Sequence, residues 1–184
     1  MKKAIEDKFQ SLGGIVPIGD SLVPVEDDEL RSLEKALKVE LPHDYREFLM
    51  TYGAAMFAEY VDFQPVQNLP MPISDTGKGH VSSFYGAARD PYQPLQKAIE
   101  TFQGRMPETL IPIGDDSGNK ICLGIKGKEQ GKVYYWDHHN EWDEQDYLEE
   151  HGTPMPPDLK FQNVYLIADS FEDFVRRLEK SERG

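Results

Sequence analysis

Ile111-Pro112-Ile113-Gly114-Asp115-Asp116-Ser117-Gly118-Asn119, followed by Ile121-Cys122-Leu123-Gly124, sets the reading of this chain. A short apolar run enters an acidic, glycine-containing turn and leaves as a second apolar run, the pattern of a β-hairpin with a polar tip. Gly114 and Gly118 are expected to supply positive φ, while Asp and Asn tolerate left-handed geometry and bond their own backbone. Further strands are expected over 56–63, 81–85, 109–113, 120–125, 132–137 and 164–168. Short turns such as Gly127-Lys128-Glu129-Gln130-Gly131 imply antiparallel pairing.

Helical spacing flanks these strands. Ile5, Phe9 and Leu12 stop at Gly13-Gly14, and Leu30, Leu33 and Leu37 follow Asp27 and Asp28, whose charges suit a helix N-terminus. Tyr45, Phe48, Leu49 and Tyr52 lie between Pro42, expected in the first turn, and Gly53; Leu95, Ile99 and Phe102 lie between Pro94 and Gly104. Phe171, Phe174, Val175 and Leu178 share one face of a last helix, with Ser170 and Asp173 at capping-box spacing. The pattern predicts one α+β domain over 1–184, a single mainly antiparallel sheet with helices packed on one face. It opens with a helix over 1–14 and carries loop insertions at about 64–79, rich in Pro and Gly, and 142–160, acidic and then Pro-rich.

With 184 residues, the chain is long enough to bury a core without disulfides or metal. Cys122 is the one cysteine, which suits a reducing, cytoplasmic compartment. Acidic residues follow Lys2 and Lys3 at once, unlike a signal peptide, and no run approaches the ~20 apolar residues of a membrane span. A net charge of −13 argues against nucleic-acid binding, which needs clustered Lys and Arg, and favours a basic partner or simple dispersal.

The residues point away from catalysis and cofactors. His138 and His139 are adjacent on a strand end and so point to opposite faces, and no pair of histidines lies four apart with a zincin's Glu. Counted from Asp115 as a calcium loop, Lys120 stands where Gly is needed and Lys126 where a bidentate Glu is needed. Cys122 sits between Ile121 and Leu123 with no cation placed to activate it. No phosphate-binding loop or nucleophile elbow is present. From Asp137 to Glu150 there are seven acids and no Lys or Arg. A solvated acidic face is the simplest reading of that run, and a docking surface for a basic partner the second. Alternation places Tyr134 and Trp136 on one sheet face and Tyr135 on the other, leaving Trp142 as the ring expected at the surface.

The ordered set of Leu41-Pro42-His43-Asp44-Tyr45-Arg46-Glu47-Phe48-Leu49, Ile111-Pro112-Ile113-Gly114-Asp115, Tyr135-Trp136-Asp137-His138 and Ala168-Asp169-Ser170-Phe171 resembles the SUKH superfamily, the Smi/Knr-like proteins. The resemblance spans roughly residues 26 to 180. It implies a SUKH-like fold and a non-enzymatic protein-binding module, foremost an immunity protein that neutralises a cognate, basic toxin domain such as a nuclease. The alternative it offers is a housekeeping regulatory or scaffold domain of the cell-wall-regulator type. Candidate contacts are Asp115, Asp116 and Asn119 in the hairpin turn, with Asp137, Glu141, Trp142, Asp143, Glu144 and Asp146 in the acidic run. A third reading, a small-ligand site, would require a cavity with convergent polar groups.

Overall fold

The computed structural model describes residues 3–70 and 73–182, so Met1 and Lys2 of the expected first helix and Met71 and Pro72 of the first insertion lie outside the described residues. The chain runs α1 (Lys3–Ser11), β1 (Ile15–Val16), α2 (Asp27–Leu37), α3 (His43–Thr51), β2 (Met56–Phe57), β3 (Val61–Phe63), β4 (Gly79–His80) and β5 (Ser83–Phe84). It continues through α4 (Leu95–Phe102), β6 (Leu110–Asp116), β7 (Asn119–Gly124), β8 (Val133–Trp136), α5 (Glu144–His151), β9 (Val164–Ala168), α6 (Phe171–Arg176) and β10 (Leu178–Lys180).

The α+β class and antiparallel pairing match the sequence pattern, but the strands form three sheets, not one. Five strands pair in the order β5-β6-β7-β8-β9, three as β10-β3-β4, and two as β1-β2. The expected strand over 56–63 is divided: β2 pairs with β1, whereas β3 pairs with β10. Ala58, Glu59 and Tyr60 between them are exposed, so each half turns to a different partner.

Both faces of the five-stranded sheet are covered, which corrects the expectation of helices on one face. Ile111, Ile113, Ile121, Leu123 and Tyr135 enter the main core with Phe48, Phe84, Phe171 and Phe174. Alternation sends Leu110, Cys122 and Trp136 to the opposite face, where they meet Phe102 and Met106. Phe102 stands edge-on to Trp136 with 5.5 Å between ring centroids. Full burial of each large apolar side chain contributes roughly 1.5–3 kcal/mol.

The main core is dominated by aromatic rings. Phe48 contacts Phe84 at 4.9 Å and Phe171 at 5.2 Å between centroids, joining α3, β5 and α6. Pro42 stands at the N-cap of α3, one position before its first turn. Ser170 caps α6 as expected, its Oγ accepting the Asp173 N–H at 2.9 Å. The reciprocal arm differs: Asp173 accepts the Asp169 N–H at 3.1 Å and Arg177 Nε at 2.9 Å. The helix ends at Arg176, and Leu178, expected on its face, opens β10 opposite Phe63.

Tyr45 lies at 0% exposure, and its hydroxyl has no hydrogen-bond partner among the described residues. Burial pushes its phenol far above the usual range. A buried hydroxyl without a partner carries its desolvation cost uncompensated. Tyr45→Phe is therefore expected to leave stability unchanged or raise it by about 1 kcal/mol in urea unfolding; a loss of that size would reveal a bond to the hydroxyl.

Candidate functional site

Antiparallel pairing places the C-terminal ends of β6 and β8 and the N-terminal ends of β7 and β9 at one end of the five-stranded sheet. The candidate residues gather there because the strands deliver them. β6 and β7 join through Ser117 and Gly118, with φ of 50° and 104°, and Asp116 pairs with Asn119 across the turn. Two central residues with positive φ match a primed hairpin turn, whose twist suits the flanking strands. A Cβ at Gly118 would lie 2.7 Å from His139 Cε1, so the exposed His139 ring would have to shift, but the positive φ is what calls for glycine there. Gly114 has a different role from the one expected. It is not a positive-φ position, but it follows the register shift at Pro112, where a Cβ would lie 2.8 Å from the Ser83 carbonyl oxygen.

Lys120 organises the turn from beneath. Its side chain is only 7% exposed, and Nζ lies 2.6 Å from Asp115 Oδ1. The same ammonium donates to the Gly118 carbonyl and lies 5.1 Å from the Phe102 ring centroid. Asp115 is thus committed to the fold, and its free surface is limited. Lys120 was not legible as a bracing cation, although a lysine directly before a buried apolar run was the available signal.

Asp116 Oδ2 accepts the His80 N–H at 3.1 Å, and the Tyr135 hydroxyl lies near enough to favour the charged form of the carboxyl. Burial raises the Asp116 carboxyl above the usual range, opposed in part by those two groups. Tyr135 is itself raised, first by burial and then by the Asp116 charge. Asn119 Nδ2 donates to Tyr135 Oη at 2.9 Å, and Asn119 Oδ1 lies 2.8 Å from His139 Nδ1. A polar chain therefore runs from His139 through Asn119 to Tyr135.

The acidic run divides into structural and free groups. Asp137 is only 4% exposed and accepts from Asn140 Nδ2 at 2.6 Å, so it offers almost no contact surface. Glu141 is half-buried and held by Arg105 Nε at 3.0 Å and by His138 Nδ1 at 3.3 Å. Burial lowers the His138 imidazole, and the nearby Glu141 charge offsets this only partly. Trp142, expected at the surface, is half-buried, standing edge-on to Tyr147 and His151 with centroids 5.6 Å away in each case.

The insertion at 142–160, expected to be irregular, contains α5. Asp143 caps that helix, accepting the Gln145 N–H at 2.7 Å and the Asp146 N–H at 3.2 Å. Glu144 pairs with Lys160 at 2.7 Å. Asp146 is exposed, and its carboxylate makes no ion pair or hydrogen bond among the described residues.

Two larger cavities flank this sheet. A groove of about 760 Å³ runs between α2 and α4, with Leu33, Leu37, Ile99 and Met106 in its lining. A smaller cavity of about 390 Å³ lies at the hairpin turn, lined by Asp116, Asn119 and Tyr135 on the sheet and by Leu69, Ile73 and His80. Among the described residues no group of three or more His, Cys, Asp or Glu is arranged to hold a metal ion. No helix there is long and apolar enough to cross a membrane. Cys122 is fully buried, and burial pushes its thiol up despite the nearby Lys120 charge.

These placements separate the acids energetically. Asp115→Ala leaves the Lys120 ammonium buried without its anion and is expected to cost about 3 kcal/mol in urea unfolding, the scale of a broken buried pair. Asp146→Ala removes an exposed charge and is expected to stay within about 0.5 kcal/mol. Equal effects would contradict the assignment of Asp115 to the fold.

Residues 24–177 match the model of the SMI1 / KNR4 family (SUKH-1). The chain is also similar to the SPbeta prophage-derived uncharacterized protein YokK of Bacillus subtilis (strain 168), with 33% identity over 158 residues, 80% of this chain and 71% of the relative. The ordered motifs, the hairpin they build and the extent of the match agree: the chain belongs to the SMI1 / KNR4 family (SUKH-1).

Proposed function

We propose that this protein is a non-enzymatic immunity protein that binds a basic toxin domain in the cytoplasm and occludes its working surface. The observation that carries the reading is α5, an acidic helix with no buried residue, held in place by its own cap and by ring contacts. Exposed carboxylates on a preformed helix attract a basic partner without an ordering cost at the moment of binding. Such charge complementarity raises association toward ~10⁸–10⁹ M⁻¹s⁻¹ at low salt. A prophage-derived relative supports the reading, because a mobile element is a natural carrier for a toxin and its neutraliser.

The test leaves Asp143 and Glu144 intact, since one caps α5 and the other pairs with Lys160. Asp146, Glu149 and Glu150 are reversed to Lys, and growth is measured in cells co-expressing the chain with a basic toxin domain encoded by an adjacent gene. Wild-type chain is expected to restore growth. Three exposed charges at roughly 0.5–1 kcal/mol each weaken binding about 10- to 100-fold, with unchanged melting and a flatter salt dependence. Full protection by the triple variant would remove α5 from the interface. Failure of the wild-type chain to protect would favour the regulatory or scaffold role.

A further inference from the structure

The cavity at the β6–β7 turn joins apolar walls to an acidic end. Leu69 and Ile73 line one side, while Ser74, Asp116, Asn119 and Tyr135 supply polar groups. Its volume of about 390 Å³ lies at the lower end of the range for small-ligand pockets, roughly 300–1,000 Å³.

The charges around it are unevenly matched. Lys78, which also lines the cavity, is ion-paired with Glu179. His80 turns Nδ1 to Asp62 at 3.3 Å, and Asp115 belongs to Lys120. Asp75 adds a further acid at the rim. Asp116 receives the His80 backbone N–H, an uncharged donor, and pairs with no Lys or Arg among the described residues. Burial raises its carboxyl, in keeping with an anion whose charge is incompletely compensated.

We propose that this cavity receives one arginine side chain from the basic surface of the protein partner, its guanidinium against Asp116 and its aliphatic stem between Leu69 and Ile73. The proposal rests on the protein-partner reading above and names the contact on which it would turn. A guanidinium suits the site better than an ammonium for two reasons. It is more weakly hydrated, so it enters a partly buried cavity at lower cost, and its planar fork can meet a carboxylate through two bonds while reaching Ser74 or Asn119. An apolar wall is what the three methylenes of arginine require. The cavity also adjoins the expected interface: the same turn contacts His139, at the start of the segment leading into α5.

Ethylguanidinium chloride, followed by amide chemical shifts in two-dimensional NMR, tests the chemistry directly. N-ethylurea serves as the neutral control of similar shape, and sodium chloride controls for ionic strength. Saturable shifts at His80, Ser117 and Asn119 with ethylguanidinium, with a Kd on the order of 10 mM, are expected, as for a fragment of a larger ligand. Asp116→Asn keeps an oxygen to accept the His80 N–H, so the fold is retained, and it is expected to weaken the response at least fivefold. Ile73→Trp, which narrows the cavity, is expected to do the same by a different route. Absent saturation, equal binding of N-ethylurea, or unchanged binding in Asp116→Asn would overturn the proposal.

The co-expression assay then separates the source. If both variants protect cells as well as wild type, the arginine contact is wrong while the immunity role stands. If ethylguanidinium binds but no basic domain is neutralised, the site is confined to free guanidinium compounds, which overturns the partner-arginine proposal. Loss of protection by both variants, with melting unchanged, supports it.

Discussion

Lys120 is the second residue of β7, and the residues that follow it, Ile121, Cys122 and Leu123, are buried on both sheet faces. Its ammonium must find compensation at the end of the sheet, and Asp115 and the Gly118 carbonyl provide it. That one requirement fixes much of the neighbourhood. The carbonyl must be turned inward, which the positive φ at Ser117 and Gly118 accomplishes. A buried pair of this kind contributes modest net stability, yet breaking it is costly, so it serves to hold one geometry. Asn119 is thereby directed at Tyr135, and His139 closes over Gly118.

The same geometry changes what a charge of −13 means for recognition. Several acids in the conspicuous run are internal supports: Asp137 holds a turn, Glu141 anchors Arg105, and Asp143 caps α5. The groups left for the proposed partner are fewer. Asp146, Glu149 and Glu150 stand on an ordered helix, and Asp116 lines a cavity. Exposed helix charges generally govern encounter rates and partly desolvated carboxylates dissociation, so in the proposed complex the two features would act on different steps.

The hairpin, the class of the fold and most helices were legible because each carries a local signature: Gly118 at a polar tip, apolar residues three and four apart, Ser170 before Asp173. The division of 56–63 was not legible, since the choice between β1 and β10 as partners is made by residues more than a hundred positions apart. Leu178 fits the stripe of α6, but pairing with Phe63 overrides that local preference. The helix α5 escaped notice because it has no buried stripe; its signals were an Asp cap, a terminal Gly152, and Tyr147 four residues before His151. The roles of the candidate acids were the least legible. Asp137 and Asp146 look alike in sequence, and only the position of Asn140 and the local burial separate them.

Hydrogen–deuterium exchange of the chain, alone and with the basic domain proposed as its partner, is the measurement to make. Added protection is expected in the hairpin turn at 116–119, the segment around His80, and 138–151, with little change along α2 and α4. Protection confined instead to the apolar groove between α2 and α4, with the acidic end of the sheet unchanged, would contradict the proposed interface.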